Sequence, residues 1–174
     1  MIKYLYYIFI SLFLVFIQQS ILMVFGYTAN LNILLVFLVF ITIISGFNLG
    51  FIFSVIIGLI AGLYSYLPFG SLIIIFLLII SLVNFLYKHV LINFSYLTNI
   101  ILIVMATFLY NCLLVLINYL AYLLGMIRIY ISVDSIFLIN FLWQNILNVA
   151  LISLIFVIAK LTIKKLNLVF LIKK

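Results

Sequence analysis

The chain has 174 residues, of which 72% are apolar, 18% aromatic and only 5% charged, with a formal net charge of +7. Soluble domains carry about a quarter charged residues, and no globule of this size hides so much apolar surface, which excludes a water-soluble fold. A disordered chain is excluded as well, and at about 20 apolar residues per crossing the composition supplies roughly six transmembrane helices.

The first apolar run, Tyr4 to Phe25, follows Lys3 and has the outline of a secretory signal peptide. Gln18-Gln19-Ser20 is no small-residue cleavage site and more membrane segments follow, so an uncleaved first helix is expected. Gly26 to Asn30 reads as a short loop and helix two is expected over about 31–45. After the tight connection Gly46-Phe47-Asn48-Leu49, helix three is expected over about 50–66. Both helices are near the lower length limit for about 30 Å of hydrocarbon, and a re-entrant pair is the alternative.

Leu67-Pro68-Phe69-Gly70 contains the only proline, which stops helix three and marks a turn. Helix four is expected over about 71–87, ending at Lys88-His89, and helix five over about 96–124, long enough to be tilted. Gly125 to Ser135 is the longest loop and carries Arg128 and Asp134, ahead of helix six over about 136–159. From Lys160 to Lys174 a basic tail with apolar interleaving is expected to lie on the anionic leaflet. The expectation is therefore an all-α, six-helix transmembrane bundle forming a single domain over 1–174.

The charges orient it. With the N-terminus inside, Lys3, Lys88 and the tail lysines 160, 164, 165, 173 and 174 all fall on the cytoplasmic side, and only Arg128 falls outside. That bias predicts both termini inside, and it explains the basic balance without nucleic acid, since the lysines sit at the ends of apolar runs. The single cysteine, Cys112, lies in mid-run and reads as a small buried hydrophobe.

Small residues recur every fourth position at Gly46, Gly50, Ser54, Gly58 and Gly62, a narrow stripe along helix three. In lipid such a stripe lets backbones approach closely, so it reads as packing within the fold or as a groove for a partner's helix. Amides form further stripes: Asn140, Gln144 and Asn148 on helix six, with Trp143 and Asn145 adjacent, and Thr107, Asn111 and Asn118 on helix five. Ser81, Asn84 and Lys88 share a face of helix four. Amides in hydrocarbon must be bonded, so they are expected to make interhelical hydrogen bonds, with a polar substrate cavity as the functional alternative.

Chemistry is poorly supplied. General acid–base work by paired carboxylates needs two acids and the chain has one, Asp134; the lone His89 sits at a helix end beside Lys88. No serine has an evident activating base and orienting acid, no set of metal ligands is present, and no phosphate-cradling loop follows the glycines. No catalytic, cofactor-binding or metal residues are therefore assigned, and the helix interiors lack the ionisable groups of an ion-coupled pump.

Asn30-Leu31-Asn32-Ile33-Leu34-Leu35-Val36, continuing to Gly58-Leu59-Ile60-Ala61-Gly62-Leu63-Tyr64-Ser65-Tyr66-Leu67-Pro68-Phe69-Gly70, resembles the rod shape-determining MreD family. That family pairs an apolar second helix with a glycine-rich third helix ending in Gly-Leu, an acid, then Pro-Phe-Gly. Gly62 stands where the family commonly has an aspartate, so any role of that acid is absent here. The resemblance implies a non-enzymatic scaffold of the bacterial inner membrane in the cell-elongation machinery, without cofactor. Its implied partners are an MreC-like protein, the MreB filament system, the RodA glycosyltransferase and a penicillin-binding transpeptidase. Gly50, Ser54, Gly58, Gly62, Pro68, Phe69 and Gly70 are then the candidate packing or partner surface, and Asn111, Asn118, Asn140, Gln144 and Asn148 the candidate polar contacts. A rival from another class is the vitamin-binding S component of an energy-coupling-factor transporter, also near six helices and catalytically inert.

Overall fold

The computed structural model describes residues 2–21, 30–90, 95–128 and 130–171, with side chains placed over 5–20, 30–90, 95–128 and 130–161. Among these every regular element is a helix: α1 (Ile2–Phe16), a π-helical turn (Ile17–Ile21), α2 (Ile33–Ser45), α3 (Phe47–Gly62), α4 (Ser71–His89), α5 (Tyr96–Leu123) and α6 (Ser135–Leu171). The expected end of helix one at Phe25 and most of the loop after it lie outside the described residues.

Short connections set the neighbours. Gly46 alone separates α2 from α3; its φ of 83° is accessible to glycine and reverses the chain, while its N–H still donates to the Thr42 carbonyl at 3.1 Å. At the other end of α3 the helix stops at Gly62, earlier than the Tyr66 expected from Pro68. Tightened turns, Leu63 N–H to the Ile60 carbonyl and Tyr64 N–H to the Ala61 carbonyl, end it there. Gly70, with φ 90°, then directs the chain into α4.

The core is built around α2 and α4. Leu35, Val36, Leu38 and Val39 of α2 and Ile75, Ile79, Ile80 and Val83 of α4 are fully buried, joined by Ile57 of α3, Leu102 and Ile103 of α5 and Ile152 of α6. Tyr7, Phe53 and Phe37 form an aromatic column tying α1, α3 and α2, with ring centroids 5.0 and 5.1 Å apart. The α3–α4 pair packs most extensively, followed by α5–α6 and α2–α3.

Among the described residues three helices are long and apolar enough to cross a membrane: Ser71–His89, Tyr96–Leu123 and Ser135–Leu161. Burial falls from 39% of the first of these windows to 22% and 11%, so α6 is the least covered of the three. At 13 and 16 residues, α2 and α3 reach roughly 20 and 24 Å, shorter than the hydrocarbon. The expected end of helix six at Ala159 does not appear: α6 runs to Leu171, through most of the basic tail. Nothing from Lys160 to Leu171 is Gly or Pro, and Lys and Leu are strong helix formers, so no residue there ends the helix.

Candidate functional site

The antiparallel helices bring the π-helical turn, the start of α2, the end of α3, the start of α4, the second half of α5 and the start of α6 to one end of the bundle. The 63–70 turn and the 125–134 loop lie at this turn end, and the exposed Lys88 and Lys160 lie at the other.

Deep at the turn end, a polar relay joins three helices. Thr107 of α5 donates its hydroxyl to the Ile103 carbonyl at 2.8 Å and accepts from Asn148 Nδ2 of α6 at 3.0 Å. Asn148 Oδ1 in turn accepts from the backbone N–H of Asn32 at 3.0 Å, and Asn32 Oδ1 caps α2 by accepting from Leu35 N–H at 3.0 Å. Asn148, Thr107 and Asn32 are all buried, so each bond satisfies a group that would otherwise be unfavourable in an apolar interior. The backbone N–H groups of Asn32 and Leu35 can only donate, so they fix the orientation of the Asn148 and Asn32 amides.

One turn nearer the surface, Asn111 Nδ2 donates to the Thr107 carbonyl at 2.9 Å and to Gln144 Oε1 at 2.6 Å, bridging α5 to α6. Gln18, in the π-helical turn, accepts from Ile33 N–H and donates to the Leu31 carbonyl, both at 2.8 Å, and so ties the first helix to the start of α2. These groups surround a cavity of about 530 Å³ whose polar lining includes Gln18, Asn32, Tyr66, Tyr110, Asn111, Asn140 and Gln144, with Phe76, Phe137 and Phe141 among its apolar walls. Among the described residues no charged side chain lines it.

The expected amide contacts are thus brought together in part. Asn111, Gln144 and Asn148 bridge α5 and α6. Asn118 instead turns to the loop and accepts from Ile131 N–H at 2.7 Å, and Asn140 is exposed, with a long 3.4 Å contact from Asn30. The stripe expected to face protein on α4 does not do so at Ser81, which is exposed and returns its hydroxyl to the Leu77 carbonyl. Cys112, expected to be buried, is exposed on α5. Gln18 and Asn32 were missing from the candidates of the sequence; the N-cap pattern of Asn32 before an apolar run was a readable signal, and nothing local marked Gln18.

The small-residue stripe divides. Gly50, Ser54 and Gly58 are buried within the fold. A Cβ on Gly58 would stand 2.8 Å from Ile73 Cα, and one on Gly50 would overlap Thr42 Oγ1, so at both positions only glycine permits the observed approach. Gly62 is also buried, but an added Cβ there meets nothing within 4 Å. Pro68 accepts from Ser71 N–H through its carbonyl, Gly70 caps α4, and Phe69 is exposed in the turn.

Asp134 accepts from Phe137 N–H at 2.9 Å and so caps the first turn of α6 at the surface. His89 packs against Phe85 in a tilted pair at the lysine end, with centroids 4.9 Å apart, far along α4 from the cavity. Among the described residues no three His, Cys, Asp or Glu side chains gather as a metal site. No family model matches the chain, and no curated protein and no solved structure is similar to it.

Proposed function

We propose that this chain is a non-enzymatic scaffold of the bacterial inner membrane that serves the cell-elongation machinery and acts by binding, most directly an MreC-like protein. In this reading α1 to α6 each cross the membrane, both termini are cytoplasmic, and the turn end faces outward. The lysines at the opposite end support that orientation. The MreD-like segment from Asn30 to Gly70 supports the assignment, and it folds as a continuous unit of α2, α3 and the entry to α4.

One observation carries the reading: the turn end converges neutral amides and phenols, while the only acid of the chain is engaged as the cap of α6. Such a set holds and orients; it moves no protons near neutral pH. Because the small-residue stripe is consumed inside the fold, the partner's helix is assigned to the little-covered face of α6, where Ile139, Trp143 and Ile146 are exposed. Copurification from membranes tests this: an MreC-like protein should be retained by the wild-type chain and lost from an Ile139→Ala/Ile146→Ala variant. Equal retention by both would remove α6 as the surface, and no retention by either would remove the partner.

The S-component reading keeps one specific support, the uncharged cavity of about 530 Å³ at the turn end, a volume suited to a small ligand. A thermal-shift screen with vitamins addresses it, and stabilisation by a single vitamin would favour it over the scaffold.

A further inference from the structure

A second cavity, of about 490 Å³, lies on the outer side of the α5–α6 pair and is lined almost wholly by apolar side chains. Its walls include Phe108, Leu116, Tyr119 and Leu138, all about half exposed, so the groove opens sideways from the bundle. Asn111, Phe137 and Phe141 line this groove and also line the polar cavity within. The two spaces therefore adjoin at these three side chains, polar on the inner side and apolar on the outer.

The polar side has unused hydrogen-bonding capacity of a definite kind. The Thr107 carbonyl can only accept, so it fixes Nδ2 of Asn111 as the donor, and among the described residues Asn111 Oδ1 is left as a free acceptor. Gln144 uses Oε1 to receive the second Asn111 proton, which among the described residues leaves its Nε2 as a free donor, and Asn140 likewise has only its Oδ1 engaged, leaving Nδ2 to donate. A hydroxyl group both donates and accepts, and so matches an acceptor and a donor set side by side. An ion does not fit, because among the described residues neither cavity carries a charged side chain and an uncompensated charge at membrane depth is costly.

We propose that the two cavities form one lateral site for a neutral, hydroxyl-bearing amphiphile with a single long chain, entering between α5 and the start of α6. The head occupies the amide-lined cavity against Asn111, Gln144 and Asn140, and the chain lies in the groove past Cys112 and Leu116. The site is independent of whether the protein acts as an elongation scaffold, since it rests on these walls alone.

The test uses the full chain in phosphatidylcholine nanodiscs containing a monoacylglycerol with a diazirine in its acyl chain, with photolabelled peptides read by mass spectrometry. Labelling is expected to concentrate on 108–119 and 133–141, and to be competed by monooleoylglycerol but not by oleate or by glycerol. Gln144→Leu is expected to lower it about tenfold, the effect of one lost hydrogen bond. Cys112→Phe, which fills the groove and leaves the amides in place, is expected to abolish it, and this second variant keeps the test decisive if Gln144→Leu folds poorly. Labelling spread evenly over the exposed helix faces overturns the proposal, as does full labelling of Cys112→Phe. Equal competition by oleate overturns the neutral head, and competition by glycerol alone overturns the amphiphile in favour of a soluble ligand.

Discussion

Replacing Gly58 by alanine should separate from the same change at Gly62, four residues along the same stripe. At Gly58 the new Cβ would stand 2.8 Å from Ile73 Cα and 2.9 Å from Ile73 N, both backbone atoms of α4 that no side-chain rotation can move. Restoring ordinary carbon–carbon contact requires α3 and α4 to part by roughly 0.7–1.2 Å. Overpacking of this kind costs about 1–3 kcal/mol, against up to about 1 kcal/mol returned by alanine's higher helix propensity. At Gly62 a Cβ meets nothing within 4 Å, so only the propensity gain applies, reduced because Gly62 is the last residue of α3. The two variants should therefore differ in stability by about 1–3 kcal/mol, with Gly58→Ala the weaker. Sodium dodecyl sulfate titration in mixed micelles, followed by the fluorescence of the single tryptophan, Trp143, measures this directly. Equal stabilities, or a more stable Gly58→Ala, would refute the close α3–α4 approach and with it the packing role of the stripe.

Further outcomes follow from the polar interior. Asn148→Leu removes the acceptor of Asn32 N–H and the donor to Thr107 together, and should destabilise the bundle by about 1–3 kcal/mol in the same titration, whereas the exposed Asn140→Leu should cost well under 1 kcal/mol. Asp134→Asn should retain nearly full stability and Asp134→Ala should lose about 0.5–2 kcal/mol, as read by hydrogen exchange at the start of α6, because the residue acts there as a helix cap. Cysteine accessibility scanning in a Cys112→Ser background should label Phe69→Cys from outside and Lys160→Cys only from inside; tail labelling from outside would overturn the orientation.

Much of the architecture was legible because apolar runs and their punctuation act locally. The bounds of α2, α4 and α5 lie within two residues of those expected, since Asn32, Gly70 and Ser95 are capping or turn residues placed before long apolar runs. Three ends were not legible. α3 begins at Phe47, three residues before the expected 50, because Gly46 alone makes the reversal and Phe47 to Leu49 belong to the helix. α3 stops at Gly62 because the turn folds back on Ile60 and Ala61 before the chain reaches Pro68, and α6 continues past Lys160 because nothing there breaks it. The four-residue spacing placed Asn111, Gln144 and Asn148 on facing stripes, and helix geometry alone suffices for that. Spacing does not tell which stripe member meets a backbone: a Cβ at Gly58 would strike Ile73 and one at Gly62 would meet nothing within 4 Å, a difference set by where α4 crosses α3. Nor does it reveal that Gln18, from a different helix, closes the cavity by bonding to the start of α2.

The central claim, a binding scaffold of the elongation machinery, is tested most directly by depleting the protein from a rod-shaped host that encodes it while measuring cell shape and vitamin uptake in the same culture. The account predicts rounded cells with uptake unchanged. Normal rods that have lost the uptake of one vitamin would contradict it.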